Sequence, residues 1–295
     1  MKWRTLAVGL VVGALSLTAC GKEGSPGGGG AVANQPAAAN VQVADSATFA
    51  KIQQRGRVVV GVKNDQPGLG IVDPTTNTYS GFDVEIARLV AAQLGVGADK
   101  IDYKVVQSAA REDAISRGDV DYYVGTYTIN DNRKQRVGFA GPYFVAGQGL
   151  LVRKDETAIT GKDTLKGKKV CSVTGSTPYQ RVKDQQLTEP NNIIAFQTYG
   201  QCVDQLMSSQ VDAVTTDDSI LKGYAAQSPD KLKVVGDTFS TEPYGIGLAR
   251  DDKALRDKVN DILQKSFDDG TWQKIYDGTL GKSGSPASPP KINRY

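Results

Sequence analysis

Apolar positions in the middle of the chain come in two alternating forms: short continuous runs, and longer stretches in which they recur every three or four residues. That alternation is the signature of an α/β fold with largely parallel sheets. Val58-Val59-Val60-Gly61-Val62 has no polar position and predicts a buried strand. A helix opens at Gly81-Phe82-Asp83-Val84-Glu85, with Ile86, Leu89, Val90 and Leu94 on one face and Gly95 as its stop. Residues 101–106 predict a strand, 110–117 a helix and 120–124 a strand, which completes a βαβαβ run by residue 125. A second series follows, with strands at 169–173, 193–196 and 211–215 and helices at 178–187 and 200–209. Crossings at 147–152 and 237–248 join the two series, so the pattern predicts two lobes, each a mostly parallel sheet flanked by helices. Residues 45–147 and 240–280 form the first lobe, and 148–239 the second. The last helix, 253–269, carries Leu255, Val259, Ile262, Leu263 and Phe267 on one stripe and is expected to pack back on the first lobe.

The ends read differently. Lys2 and Arg4 precede an uncharged stretch over 6–19 that is too short to span a bilayer and fits a cleaved signal peptide, residues 1–19. Leu17-Thr18-Ala19-Cys20 resembles a bacterial lipobox, whose cysteine is acylated and becomes the mature N-terminus; the competing reading is an ordinary signal with an incidental cysteine. Either way, the rest of the chain works outside the cytoplasm. Residues 20–44, rich in Gly, Ala, Ser, Pro and Asn, predict a flexible tether from the Cys20 anchor, and residues 281–295 predict a disordered tail.

Charge and composition narrow the chemistry. With 35 basic and 32 acidic residues the net charge is +3, and no basic block stands ready to grip nucleic acid. The chain has no histidine, which removes Ser-His-Asp triads, His-ligated zinc and imidazole acid–base work. No cofactor motif is present, and a monomer is expected. Cys171 and Cys202 remain as a pair in an oxidising compartment. A disulfide between them would contribute about 3–4 kcal/mol by the chain-entropy estimate; two buried free thiols are the alternative.

Ligands in open parallel sheets bind at the carboxyl ends of strands. Here those ends carry Lys63 and Asn64, Ser108 and Arg111, Thr126 and Thr128 from the first lobe, and Gly175, Ser176, Thr177, Asp217 and Asp218 from the second. Cations and hydroxyls face carboxylates, which suits an amino acid. Arg133 with Thr128 would take an α-carboxylate and Asp217 an ammonium, leaving Lys63 and Arg111 for a side-chain carboxylate. Blander readings exist: Arg133 beside Lys134 and Arg136 as a solvated charge, Arg111 as a structural residue at an exposed helix start, and the two aspartates as helix caps. We assign the cap to Asp218 and the ligand to Asp217.

Two motifs carry a family resemblance. Gly81-Phe82-Asp83-Val84-Glu85-Ile86-Ala87-Arg88-Leu89-Val90 resembles the signature of the family 3 solute-binding proteins of ABC transporters. Gly125-Thr126-Tyr127-Thr128-Ile129-Asn130-Asp131-Asn132-Arg133, followed by Gly141-Pro142-Tyr143-Phe144, is similar to the segment holding that family's carboxylate-binding arginine. The resemblance implies a type II periplasmic-binding-protein-like fold and capture of a polar amino acid for an ABC permease. It places Thr126, Thr128, Arg133 and Thr177 on the ligand's backbone groups and Asp217 on its ammonium. Ser108 to Arg111 resembles the loop of acidic amino-acid binders, which makes glutamate the expected ligand, with aspartate, glutamine and asparagine as related candidates. Asn64 departs from the pattern where an aromatic platform is often found. Two other functions stay open for such a chain: docking on a membrane receptor or kinase as a sensor, and dehydratase chemistry on a cyclohexadienyl acid.

Overall fold

The computed structural model describes residues 35–283 and 285–295. Residues 1–19, expected to be a signal peptide, and Cys20 lie outside the described residues. The first lobe opens with helix α1 (Ala47–Arg55), whose first turn is held by the Ser46 hydroxyl accepting from Phe49 N. Strand β1 (Val58–Val62) follows, then a small antiparallel sheet of β2 (Asp65–Gln66), β3 (Gly70–Asp73) and β4 (Thr78–Ser80). Helix α2 (Phe82–Gln93), strand β5 (Ile101–Val105), helix α3 (Arg111–Ser116), strand β6 (Tyr122–Tyr123), the short helix α4 (Asp131–Lys134) and strand β7 (Gly138–Ala146) complete the outward half.

The chain then crosses into the second lobe with β8 (Gln148–Arg153), β9 (Val170–Val173), α5 (Thr177–Asp184), β10 (Ile193–Phe196), α6 (Tyr199–Met207), β11 (Ala213–Asp217), α7 (Asp218–Gln227) and β12 (Leu232–Val235). It returns through β13 (Glu242–Leu248) and closes the first lobe with α8 (Lys253–Asp268) and α9 (Thr271–Gly278). The first sheet has the order β5-β1-β6-β13-β7 and the second β10-β9-β11-β8-β12. In each, three parallel strands make one half, and the other half is reached by antiparallel pairing. The antiparallel half arises because β7, β8 and β13 are the strands that enter and leave the crossings. Helix α8 lies against β7 and α2 and buries Leu255, Val259, Ile262 and Leu263, so the first lobe draws on both ends of the chain.

The two crossings touch at Gly147, where an added Cβ would come within 2.7 Å of Thr238 Cβ and 2.8 Å of Ser240 O. Only glycine allows that approach, so the lobes are joined through one narrow double crossing. Cys171 and Cys202 form a disulfide that ties β9 to α6.

Both ends depart from what composition leads one to expect. Within residues 35–44, Ala38 N donates to Ala92 O at 2.8 Å, and Val41 and Val43 pack on the first-lobe core. Residues 285–295, in a stretch expected to be a disordered tail, run over the same lobe. Asn293 N donates to Gly141 O at 2.9 Å, Tyr276 Oη donates to Ser285 O at 2.6 Å, and Ala287 and Ile292 join the core. The composition of these segments is poor in apolar residues, but the few present, Val41, Val43 and Ile292, find a preformed apolar surface. That supplies the burial that the segments alone lack. No described helix is long and apolar enough to cross a membrane.

Candidate functional site

The carboxyl ends of the parallel strands in both sheets face one another across a small, nearly filled cavity. Apart from Asn64 and Asp218, ten residues are expected from the sequence to form the ligand site, and eight of them line the cavity: Ser108, Arg111, Thr126, Thr128 and Arg133 from the first lobe, and Ser176, Thr177 and Asp217 from the second. The remaining two stand directly behind the wall. Lys63 Nζ donates to Ser108 Oγ at 2.9 Å, and Gly175 O accepts from Arg111 Nη2 at 3.3 Å and Arg133 Nη2 at 3.1 Å.

Local structure explains how each group is aimed. Arg133 is on α4, whose start is held by Asn130 Oδ1 accepting from Arg133 N at 2.9 Å. The residue is 8% exposed, and its guanidinium donates to Thr128 O at 2.6 Å and lies 3.3 Å from Glu112 Oε1, so the surface-charge reading fails. Thr126 has a left-handed backbone, φ 45°, which costs a β-branched residue strain. Asp83 at the start of α2 compensates: its carboxylate accepts from Thr126 N at 2.9 Å and Tyr143 Oη at 2.7 Å. Burial nonetheless pushes the Asp83 carboxyl up to about 6, against the pull of those two bonds. Arg111 is not at an exposed helix start but 2% exposed, with its guanidinium 4.3 Å from the centre of the Tyr127 ring. Its hydrogen-bond partners are the carbonyls of Ser108, Thr126 and Gly175, at 3.1–3.4 Å.

Asp217 ends β11 and is 3% exposed. Its Oδ2 accepts from Tyr244 Oη at 2.6 Å, while Oδ1 is buried with no partner among the described residues. Burial, and then the neighbouring charge of Glu242, push this carboxyl up to about 7. Across the cavity, burial and the adjacent Arg111 push the Lys63 ammonium down to about 7, and burial with Arg111 pushes Arg133 down to about 10. The site therefore has the electrostatics of a place built to receive charge: cations crowded together on one wall, and an under-bonded carboxylate on the other.

Asp218 is not the cap of α7. The cap position is Asp217, which makes no capping bond, whereas Asp218 accepts from Gly147 N at 3.2 Å and Lys222 Nζ at 2.6 Å and so braces the first crossing. Tyr199 and Pro178 also line the cavity, and neither is singled out by the strand-end rule. Tyr199 follows Thr198, whose hydroxyl and Gln201 form a reciprocal capping box, so the T-x-x-Q spacing places α6 one residue earlier than apolar periodicity does and brings Tyr199 to the cavity. Asn64 lacks an aromatic ring, and Tyr199 supplies one from the opposite lobe.

The lobes are closed on one another. Asp65 Oδ2 accepts from Tyr199 N at 2.8 Å, Tyr224 Oη donates to Asp65 O, and Thr128 Oγ1 lies 3.4 Å from Thr177 Oγ1. Gly175, at φ 80°, abuts Ala109, whose Cα would lie 2.6 Å from an added Cβ. Gly175→Ala should therefore resist this closed approach and weaken ligand binding roughly tenfold. Calorimetry checks it, and unchanged affinity would mean that the Gly175–Ala109 contact is not needed for capture.

A two-lobed α/β protein, joined at a double crossing and enclosing a polar cavity between opposed charges, has the architecture of a solute receptor. The chain belongs to the bacterial extracellular solute-binding proteins, family 3, whose model matches residues 58–282. It is 38% identical over 286 residues to a glutamate-binding protein, GluB, of Corynebacterium efficiens, covering 92% of this chain and 88% of that one. It is 36% identical over 252 residues to a glutamine-binding protein of Geobacillus stearothermophilus, covering 85% and 93%. Among solved structures, an ancestral arginine-binding protein bound to arginine superposes with a TM-score of 0.70 at 35% identity, covering 76% of this chain and 97% of that one.

Proposed function

We propose that this solute-binding protein captures glutamate, or a related acidic amino acid, and hands it to an ABC permease while tethered through a lipid on Cys20. The observation that carries the ligand class is the unequal pairing of the two guanidiniums. Arg133 already has Glu112 beside it and can serve an α-carboxylate, as any amino acid requires. Arg111 has only carbonyls and ring faces as partners, so a second carboxylate gains most by meeting it. Asp217 Oδ1, buried and without a hydrogen-bond donor, takes the ligand ammonium. The names of the glutamate- and glutamine-binding relatives support the same class.

The roles divide accordingly. Thr126, Thr128 and Arg133 hold the α-carboxylate, with Thr177 closing over it from the second lobe. Ser108 and Arg111 take the side-chain carboxylate, with Lys63 one hydroxyl behind. Gly175 and Ser176 shape the far wall at the start of α5. The reading is capture by a monomer rather than turnover. Three charge-assisted contacts of about 1.5–3 kcal/mol each, less the cost of immobilising the ligand, leave room for affinity in the micromolar range or tighter.

Calorimetry on the protein lacking its first 34 residues tests this. The cut keeps Ala38, Val41 and Val43, which belong to the folded lobe. Glutamate should bind more tightly than glutamine, and both should raise the melting temperature. The absence of heat and thermal shift with glutamate, aspartate, glutamine and asparagine would end the proposal.

A further inference from the structure

Tyr244 belongs to no strand end and no family motif quoted above, yet it is the only described hydrogen-bond donor to the Asp217 side chain. It sits on β13 of the first lobe, wholly buried, with its ring 6.2 Å from Tyr143 and 5.7 Å from Phe144. We propose that Tyr244 is the positioning residue of the ammonium half of the site: its hydroxyl fixes Asp217 so that Oδ1 is left for the ligand, and its backbone ties that carboxylate to the loop carrying Thr128 and Arg133. The inference rests on the reading of Asp217 as the ammonium acceptor.

Proton accounting gives the bond its direction. An ionised carboxylate only accepts, so the single Tyr244 proton goes to Asp217 Oδ2. Ser219 Oγ lies 3.1 Å from Tyr244 Oη and must then donate to it, giving a one-way relay from Ser219 to Tyr244 to Asp217. Both ends of the relay are in the second lobe and its middle is in the first, so it spans the lobe boundary. The same tyrosine pairs through its backbone with Thr128. Ile129 N donates to Pro243 O at 2.8 Å and Gly245 N to Tyr127 O at 2.9 Å on either side, which fixes the register. One residue thereby sets the spacing between the groups that receive the two ends of a zwitterion.

The charged surroundings make the hydroxyl matter. Asp217 faces Glu242 from β13, Asp218 from α7 and Arg133 from α4, with Tyr199 from α6 also near it, and Asp83 from α2 lies behind Tyr244. Burial and the two acidic neighbours favour a protonated Asp217, and the Tyr244 bond opposes them. Glu242 itself is engaged elsewhere: it accepts from Thr177 Oγ1 at 2.8 Å and pairs with Arg181 at 2.8 Å.

The test is Tyr244→Phe, which keeps the ring and removes the donor, titrated with glutamate and glutamine by calorimetry between pH 5 and pH 9. Affinity for both should fall about tenfold at pH 7, and the acid limb should move about one pH unit upward, so that the loss shrinks at high pH. A loss of the same size at every pH, or no loss, would reduce Tyr244 to a packing residue and overturn the proposal. Ser219→Ala provides a second arm should the phenylalanine variant fold poorly. It should shift the acid limb the same way by a smaller amount, and an unmoved limb there would also overturn the relay. If the unsubstituted protein binds no amino acid, the ammonium reading and this inference fall together. If it binds with a normal acid limb that neither variant moves, only the inference falls.

Discussion

Arg133→Ala should abolish measurable binding of every amino acid, because the α-carboxylate common to all of them would lose its bidentate partner. Two charge-assisted hydrogen bonds at about 1.5–3 kcal/mol each correspond to a loss on the order of a thousandfold. Arg111→Ala should behave differently. It leaves the Arg133 fork in place, so glutamine should lose little while glutamate loses about a hundredfold, and the preference between the two should collapse or invert. The folded state should tolerate both changes. Burial and the adjacent Arg111 already push Arg133 down to about 10, so removing Arg111 relieves Arg133. For Arg133→Ala, Glu112 keeps its hydrogen bond from Tyr127 Oη at 2.8 Å. Calorimetry with both ligands on both variants checks the division of labour; equal losses for glutamate and glutamine in each variant would refute it.

The parts of this site that are legible in sequence are those where local rules and the site coincide. Strand-end position finds Ser108, Thr126, Thr177 and Asp217, because an apolar run followed by small hydroxylic residues has few other structural meanings. Arg133 is a different case. Nothing in its polar surroundings, with Lys134 and Arg136 beside it, indicates burial, and the family resemblance is what favours a ligand contact over a solvated surface charge. Its burial depends on β13 returning from the second lobe to pair with residues 127–129, a contact more than a hundred residues distant. Tyr244 and Glu242 are invisible for the same reason: their partners lie across the double crossing, and their own sequence reads only as part of a strand. The ends fail in the opposite sense. Residues 35–44 and 285–295 carry too few apolar side chains to fold alone, and pattern rules judge a segment alone. Helix α1 is passed over as well, since only Phe49 and Ile52 of its nine residues are buried.

The geometry couples selectivity to closure. On the proposed assignment each lobe would neutralise one end of a zwitterion, so neither wall alone would hold the ligand, and binding would be coupled to the closure in which Gly175 meets Ala109 and Asp65 meets Tyr199. The disulfide lies within the second-lobe wall. It fixes β9, which leads into Gly175 and Ser176, to α6, which presents Tyr199, so that two parts of the second-lobe wall move as one.

Acidity should act on the two ligand classes in different ways. Asp217, pushed up to about 7, must be ionised to receive an ammonium, so binding drives a proton off it below that pH. Affinity for glutamate and for glutamine should therefore fall about tenfold per unit below pH 7, by roughly a hundredfold at pH 5. The sign reverses for Lys63. Pushed down to about 7, it is largely neutral above that pH, and a ligand side-chain carboxylate favours its charged form. Because its ammonium meets the cavity through Ser108, the basic limb should be shallow, about tenfold or less by pH 9, and confined to acidic ligands. Glutamate should thus show a maximum near pH 7, where proton release by Asp217 and uptake by Lys63 nearly cancel, while glutamine shows the acid limb alone with net proton release. Calorimetry at each pH in buffers of different ionisation heat reads affinity and proton exchange together. Affinity independent of pH from 5 to 8 for both ligands would mean that Asp217 is not what receives the ammonium.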